Sequence, residues 1–598
     1  MDSPNLSLWV GKIDGVNKSA AINLPRAVSV KRSDPVYMAH AYLTKVPVTG
    51  ILPFIDAFTN EGDTVLDPFA GSGMTGVAAL ISGRQAKLCD VSVLGQHIGT
   101  NYVNLVSEEH LRKHADEVLT RAEDQVGDVY GVPCEMCGRS ARVAKTVWSV
   151  VMECPDCRQG FDYYRSLEAA DWTKANMSCP ECESPVSSRC RRLHENPVVD
   201  SIVCECSRTQ IEQRHQAPIV VADSNGHWSP DVSIDETRQM YVASALGRHG
   251  LTSVASFYSP RNLCVLSTLW AEIGEVADED LRSKLRFAFT AILTRASKRY
   301  QWSRQRPLNA ANANYYVAPV FYEWNVFDLF NRKVDAAIRS DRWILDRRCE
   351  RVSPPASEDS EVEYRRASAT ALPFDDHSVD YVFTDPPFGT NIFYSDMNLF
   401  QEAWMSEFTY PDEEAVIDRV DTGAARTADR YEQIMVGALR ECFRVLKPGG
   451  FITLLFGNSS GKMWQLLRRS ISAAGLEVVP ELIVLLDKGQ RSVKGLASGF
   501  ENTATLDLML TLRPAQNPPP ELIEPAQEDL ERYIQRQLAE DRDLSPSLLY
   551  LELLRHGFRS NWNLVRLNLR NVTEIIQSTH RTVDHRTALV SSHGAIGT

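Results

Sequence analysis

The chain carries 598 residues, with 64 Lys and Arg against 77 Asp and Glu and a formal net charge of −13. Its 43% apolar and 24% charged content excludes a long disordered or fibrous chain and fits about three to four globular domains. No charged-then-apolar leader opens it, and no apolar run approaches the ~20 residues needed to span a bilayer, so the sequence predicts a cytoplasmic protein without a membrane partner. Thirteen cysteines in that setting point to metal ligation rather than disulfides.

Residues 1–37 lack a clear periodic pattern and read as an N-terminal extension. An amphipathic helix from Ile51 to Phe58 then leads to Gly62-Asp-Thr-Val-Leu-Asp67-Pro68-Phe69-Ala-Gly71-Ser-Gly73. Here a buried strand, Thr64 to Asp67, runs into a glycine turn that opens a small-residue helix from Met74 to about Ser82. The glycines let backbone approach a ligand closely, and the helix N-terminus offers unpaired N–H groups. The string Gly71 to Gly76 also satisfies GxGxxG, a turn used by both dinucleotide and S-adenosylmethionine (SAM) sites. A second strand, Gln85 to Asp90, ends in an acid placed to accept the ribose hydroxyls of a nucleoside cofactor; a helix N-cap is the plainer alternative. Cys89 reads as a small core hydrophobe. Residues 38–125 form the cofactor half of an α/β core.

Residues 126–224 hold four cysteine knuckles. Cys134-x-x-Cys137 and Cys154-x-x-Cys157 have sixteen residues between them, and Cys179-x-x-Cys182 precedes Cys204-x-Cys206 by twenty-one. Both pairs have zinc-ribbon spacing and predict two structural zinc ions, each closed by four thiolates and therefore without a water to activate. Exchange of knuckles between the two sites is the alternative pairing, and His194, with Cys190 left over, an alternative ligand.

Residues 225–352 read as helical and loop-rich, with no acidic residue from Leu281 to Tyr322. Arg295, Lys298, Arg299, Arg304 and Arg306 lie there among aromatics such as Tyr300 and Trp302, a mixture that suits phosphate contact and base stacking. The plain alternative is an amphipathic helix with a solvated basic face.

Ser353 to Ser360 is a linker, after which 353–513 resume the core. The apolar strand Tyr381-Val-Phe-Thr384 ends in Asp385-Pro386-Pro387-Phe388, whose prolines hold a carboxylate and a ring rigidly at the sheet edge. Strands at Phe451–Phe456, Glu481–Leu486 and Thr505–Leu512 come next, the last two as an antiparallel pair around a basic loop with Lys488 and Arg491. Residues 514–598 are a proline-rich linker and a C-terminal helical appendage that reads equally as a DNA contact, an oligomer contact or a brace.

The glycine turn and Asp385-Pro-Pro-Phe388 together resemble the motifs Asp-Pro-Phe-x-Gly-x-Gly and Asp-Pro-Pro-Tyr/Phe of the nucleic-acid amino-methyltransferases. The resemblance covers roughly residues 38 to 105 and 360 to 512, and looks closest to large zinc-ribbon-bearing bacterial DNA methylases, some of them among phage-defence genes. It implies a Rossmann-like class I SAM-dependent α/β fold with a zinc-ribbon and helical insertion serving target recognition, in a nucleoid-associated enzyme. SAM would be held by Lys45, from a Lys-x-Pro segment that equally reads as surface, and by Asp67, Pro68, Phe69, Gly71, Gly73 and Asp90. Ser368 to Thr370 stand where many relatives carry an acid. Asp385 and the Pro386 carbonyl would bind an exocyclic amine, Pro387 would stiffen the turn, and Phe388 would stack on a flipped base. Aspartate at the head of that motif leans towards adenine N6 over cytosine N4 in double-stranded DNA, in a restriction or defence system with its own partners. A tRNA or rRNA base methyltransferase is the first alternative, and a non-enzymatic zinc adaptor the second.

Overall fold

The computed structural model describes residues 22–577, apart from 217, 222–225, 305–313, 353–360, 390–391, 421–425, 489–505 and 541–543. Its strands, in chain order, are β1 (Ala27–Ser29), β2 (Thr64–Asp67), β3 (Gln85–Asp90), β4 (Gly131–Pro133), β5 (Ser140–Glu153), β6 (Gly160–Asp162), β7 (Arg191–Val203) and β8 (Ile211–Arg214). The later strands are β9 (Val320–Trp324), β10 (Val362–Arg366), β11 (Val379–Thr384), β12 (Leu446–Phe456), β13 (Leu476–Val478), β14 (Val484–Asp487) and β15 (Leu506–Pro514).

The core sheet runs β1-β14-β15-β12-β11-β2-β3-β10, with β13 alongside β15. From β12 to β10 the strands are parallel; β15 is antiparallel to both β12 and β14. All four residues of β2 are buried, as expected of a parallel strand covered on both faces by helices. This mixed, mainly parallel sheet is compatible with a methyltransferase fold. The chain leaves β2 on one side, through β3 and β10, and returns on the other, through β11 and β12. Strand order therefore reverses between β2 and β11, the point at which open α/β sheets leave a crevice at their carboxyl ends.

The core is larger at its N-terminus than the expected boundary after residue 37. β1 pairs in parallel with β14, with Val28 opposite Leu486, and so covers an edge whose backbone groups would otherwise stay unpaired.

The whole insertion lies in the crossover from β3 to β10. Its sheet is β4-β5-β7-β8, with β6 and β9 also on β5. Because β9 comes from the segment expected to be a separate helical insertion, and pairs with β5 from Lys145↔Trp324 to Ser149↔Val320, the two expected insertions share one sheet. The helices Pro260–Gly274, Glu279–Thr290 and Val326–Arg351 pack with Glu108–Val126 around it.

The C-terminal appendage packs directly on the core. The helices Gln527–Glu540 and Pro546–Arg559 share a hydrophobic core with the second half of the sheet. Trp464, on the core helix Gly461–Ala473, meets the Phe558 ring edge-on at 6.2 Å, and Arg468 donates to the Trp562 carbonyl at 2.9 Å. Leu554 is fully buried in this seam. Leu554→Ala should lower the unfolding free energy by about 2–5 kcal/mol, read as a drop in the urea midpoint.

Candidate active site

The turn after β2 is held by its own acid. Asp67 accepts the Phe69 N–H at 3.1 Å and the Thr75 hydroxyl at 2.6 Å, and burial pushes its carboxyl up to about 7. Gly73 caps the following helix, Met74–Ile81, at φ +76°, and a Cβ there would lie 2.7 Å from the Gly99 Cα. Only glycine meets both demands. Asp90, at the end of β3, accepts the N–H groups of Gly71 and Ser92, both at 2.8 Å. A carboxylate has about four acceptor sites, so Asp90 keeps capacity for hydroxyls of a ligand. The Tyr364 hydroxyl donates to the Gly71 carbonyl at 2.6 Å and fastens the turn from β10.

Directly beside β2, β11 delivers Asp385. Its carboxyl is pushed up to about 8, chiefly by burial; the Asp507 and Asp67 carboxylates add to this and the Lys488 ammonium opposes it. The motif's backbone is anchored downstream: Tyr431 donates to the Pro387 carbonyl at 2.7 Å and Asn458 to the Phe388 carbonyl at 2.8 Å. The Phe388 ring meets Phe456 edge-on at 5.0 Å, which fixes its plane.

One cavity connects the two motifs. Asp67, Pro68, Phe69, Gly71 and Asp90 line one part and Asp385 and Pro387 the other. Ser368, Ala369 and Glu413 also border it, so an acid from a later segment stands near the expected acid-less position. Tyr42, Thr44, Tyr394 and Glu414 complete the wall and carry no motif that sequence reasoning would single out. The Thr44 and Tyr394 hydroxyls meet at 2.9 Å and tie the segment before β2 to the helix Tyr394–Met405. The one sequence signal for Tyr394 is its place six residues beyond Phe388.

Lys45 requires a correction. It borders the cavity, but its ammonium donates to the Tyr37 and His40 carbonyls at 2.6 and 2.7 Å and to the Tyr102 hydroxyl at 3.3 Å. An ammonium has three donors, so none remains for a ligand; burial pushes its pKa down to about 7. Lys45 braces the N-terminal segment.

The basic block is corrected more broadly. Arg299 is buried, with its guanidinium 3.7 Å from the centre of the Phe400 ring, and desolvation pushes it down to about 10. Lys298 pairs with Glu195 at 2.9 Å, and Arg295 stacks on Tyr300 and Trp324. Lys284, from the same acid-free run, is buried against Asp341 at 2.8 Å. The acids that pair with Lys284 and Lys298 come from distant segments, so these two cations look uncompensated in sequence. Arg304 is exposed, over the Trp172 ring, and keeps the expected outward position. Lys488 is buried in an ion pair with Asp507 at 2.7 Å, so it is not a free cation of a surface loop. Arg306 and Arg491 lie outside the described residues.

All eight knuckle cysteines cluster, but in exchanged pairs. Cys134 and Cys137 meet Cys204 and Cys206, while Cys154 and Cys157 meet Cys179 and Cys182. The cause is the long antiparallel pairing of β5 with β7, from Arg142↔Val203 to Glu153↔Arg191. The knuckle before β5 must therefore meet the knuckle after β7, and the inner two knuckles meet at the other end. Sulfur–sulfur distances of 3.7 Å (Cys134–Cys206), 3.5 Å (Cys137–Cys204), 3.6 Å (Cys154–Cys182) and 3.7 Å (Cys157–Cys179) suit a shared tetrahedral ion. Zn–S bonds of about 2.3 Å give edges of about 3.8 Å. In three knuckles the residue after the second cysteine is left-handed: Gly138 (φ +72°), Arg158 (φ +65°) and Glu183 (φ +60°). His194 stands in β7 opposite Val151, and it and Cys190 belong to neither cluster.

Residues 7–108 match the N6/N4 DNA methylase family model, a span that contains the glycine turn and β3. A stretch of 42 residues, 7% of this chain, is 60% identical to YubD of Escherichia coli (strain K12), a protein named as a putative methylase; the match spans 18% of that protein's length. Both similarities support an amino-methyltransferase.

This geometry leads to two expected outcomes. Gly73→Ala should cost about 1–3 kcal/mol in denaturant unfolding. Elemental analysis of the purified chain should find about two zinc ions per molecule, and Cys137→Ser should lower that to about one.

Proposed function

We propose that this chain is a SAM-dependent DNA methyltransferase with a Rossmann-like class I core, acting on an exocyclic amine, adenine N6 in preference to cytosine N4. The observation that carries the reading is the shared cavity, in which the glycine turn and Asp385 face one space. SAM supplies an electrophilic methyl group; Asp90 suits its ribose hydroxyls, and the backbone of the Asp67–Gly73 turn lies open to the rest of it. The amine nitrogen of a nucleobase is a weak nucleophile because its lone pair is delocalised into the ring. Hydrogen bonds from that amine to the Asp385 carboxylate and the Pro386 carbonyl favour a tetrahedral nitrogen and aim the lone pair into the cavity. Positioning is the main contribution. Phe388, its plane set by Phe456, offers a face for a base turned out of the duplex. Aspartate rather than serine at position 385 supports adenine. The two cysteine clusters are read as structural zinc sites that shape the insertion, and the insertion as the part that meets DNA.

Incubation with labelled SAM and either unmethylated DNA or total RNA, followed by mass spectrometry of the nucleosides, tests this directly. N6-methyladenine in DNA is expected; label in RNA alone overturns the substrate, and label in neither overturns the enzyme reading. Asp385→Ala should lower single-turnover methylation by about a hundred-fold or more. Since Asp385 sits at about 8 and must accept the amine's hydrogen bond, the wild-type rate should rise with pH and level off above about 8. Asp385→Asn, which does not titrate, should remove that inflection.

A further inference from the structure

Tyr394, Ser395 and Asp396 open the helix Tyr394–Met405, and each is bonded to a different part of the chain. The turn has no side-chain cap from Phe393, the residue before it. Tyr394 reaches the segment before β2: its hydroxyl lies 2.9 Å from that of Thr44, and its ring stacks on Tyr42 at 6.3 Å and 27°. Ser395 donates both its N–H and its hydroxyl to Glu414, the hydroxyl at 2.9 Å. Asp396 reaches the insertion. Its carboxylate, 1% exposed, accepts the Met240 N–H at 2.8 Å and the Arg238 guanidinium at 3.4 Å. The same guanidinium nitrogen donates to the Ser395 carbonyl at 3.1 Å, and Tyr315, also of the insertion, donates to the Asp396 carbonyl. Between Arg238 and Met240, Gln239 accepts the N–H groups of Arg419 and Val420 at 3.2 and 3.1 Å, and so grips the strip that follows Glu414.

Tyr394 and Glu414 both border the cavity that joins the glycine turn to Asp385. Tyr42, on which the Tyr394 ring stacks, lies against the turn itself: a Cβ on Gly71 would stand 3.0 Å from the Tyr42 ring. Ring contacts therefore run from Tyr394 through Tyr42 to the turn. We propose that Asp396 is a positioning residue of the SAM site: bonded to Arg238 and Met240, it fixes Tyr394 against Tyr42 and the glycine turn, so that the insertion sets how tightly SAM is held. The inference rests on the reading of this cavity as a SAM site and adds to it a residue that no motif marks. A carboxylate buried to this degree is stable only with its donors in place. Without the Arg238 cation it is drawn towards water, and the turn that carries Tyr394 lacks a cap of its own to resist the movement.

The test is SAM affinity, measured by calorimetry on the full chain in a double-mutant cycle. Arg238→Met and Tyr394→Leu should each weaken SAM binding by about three-fold or more. The double variant should bind no more weakly than Tyr394→Leu alone, because Arg238 acts through the tyrosine. Asp396→Asn keeps an acceptor for Met240 and loses the charge that faces Arg238, so it should behave as Arg238→Met does, and it decides in its place should Arg238→Met fail to fold. Lys298→Met breaks another partly buried ion pair of the insertion, with Glu195, and should lower the urea midpoint while leaving SAM affinity unmoved. Three results overturn the inference while the SAM reading stands: affinity unmoved in folded Arg238→Met or Asp396→Asn, losses that add in the double variant, or an equal loss in Lys298→Met. A wild-type chain that binds no SAM overturns that reading, and the inference with it.

Discussion

The parallel pairing of β2 with β11 is the constraint on which the rest depends. Tyr381 lies opposite Val65 and Val382 opposite Leu66, so β2 closes with Asp67 beside Phe383 and Asp385 follows two residues further on, just past the end of β11. More than three hundred residues of sequence separate these acids, and one step across a sheet joins them. Everything between is a detour from β3 to β10 that leaves this pairing intact. An insertion can be large there because the cost of closing a longer loop grows only as the logarithm of its length.

The core is legible in the sequence because its signals are local. A buried strand, a glycine turn and an acid make one string, and two prolines fix a second, so the strand ends at Asp67, Asp90 and Asp385 and the turn at Gly73 can be placed from residue type and spacing. Lys45 is misread for the opposite reason: its three acceptors are two carbonyls and a phenol, and carbonyls leave no trace in residue type. Tyr364 and Asn458 are silent likewise, since each reaches a backbone carbonyl far along the chain.

The insertion shows how a linear charge pattern misleads. The segment from Leu281 to Tyr322 carries cations without acids, yet Lys284 finds Asp341 and Lys298 finds Glu195. Glu323, one residue past the run, is buried with Arg261 and accepts the Trp148 indole N–H at 2.9 Å. Such buried pairs are weak sources of stability, but each is costly to break singly. They tie the helices of the insertion to its sheet and, through the bond of Lys284 to the Asn101 carbonyl at 2.6 Å, to the helix after β3.

The exchanged knuckles also make the two cysteine clusters nested. The inner one joins Cys154 to Cys182 across 28 residues, and the outer one joins Cys134 to Cys206 across 72. Closing the longer loop first would cost about 0.8 kcal/mol more chain entropy than closing the shorter one. Once the inner loop is shut, the outer one has only the paired lengths of β5 and β7 and their flanks left to bring together. Chain entropy therefore favours closing the inner cluster before the outer one.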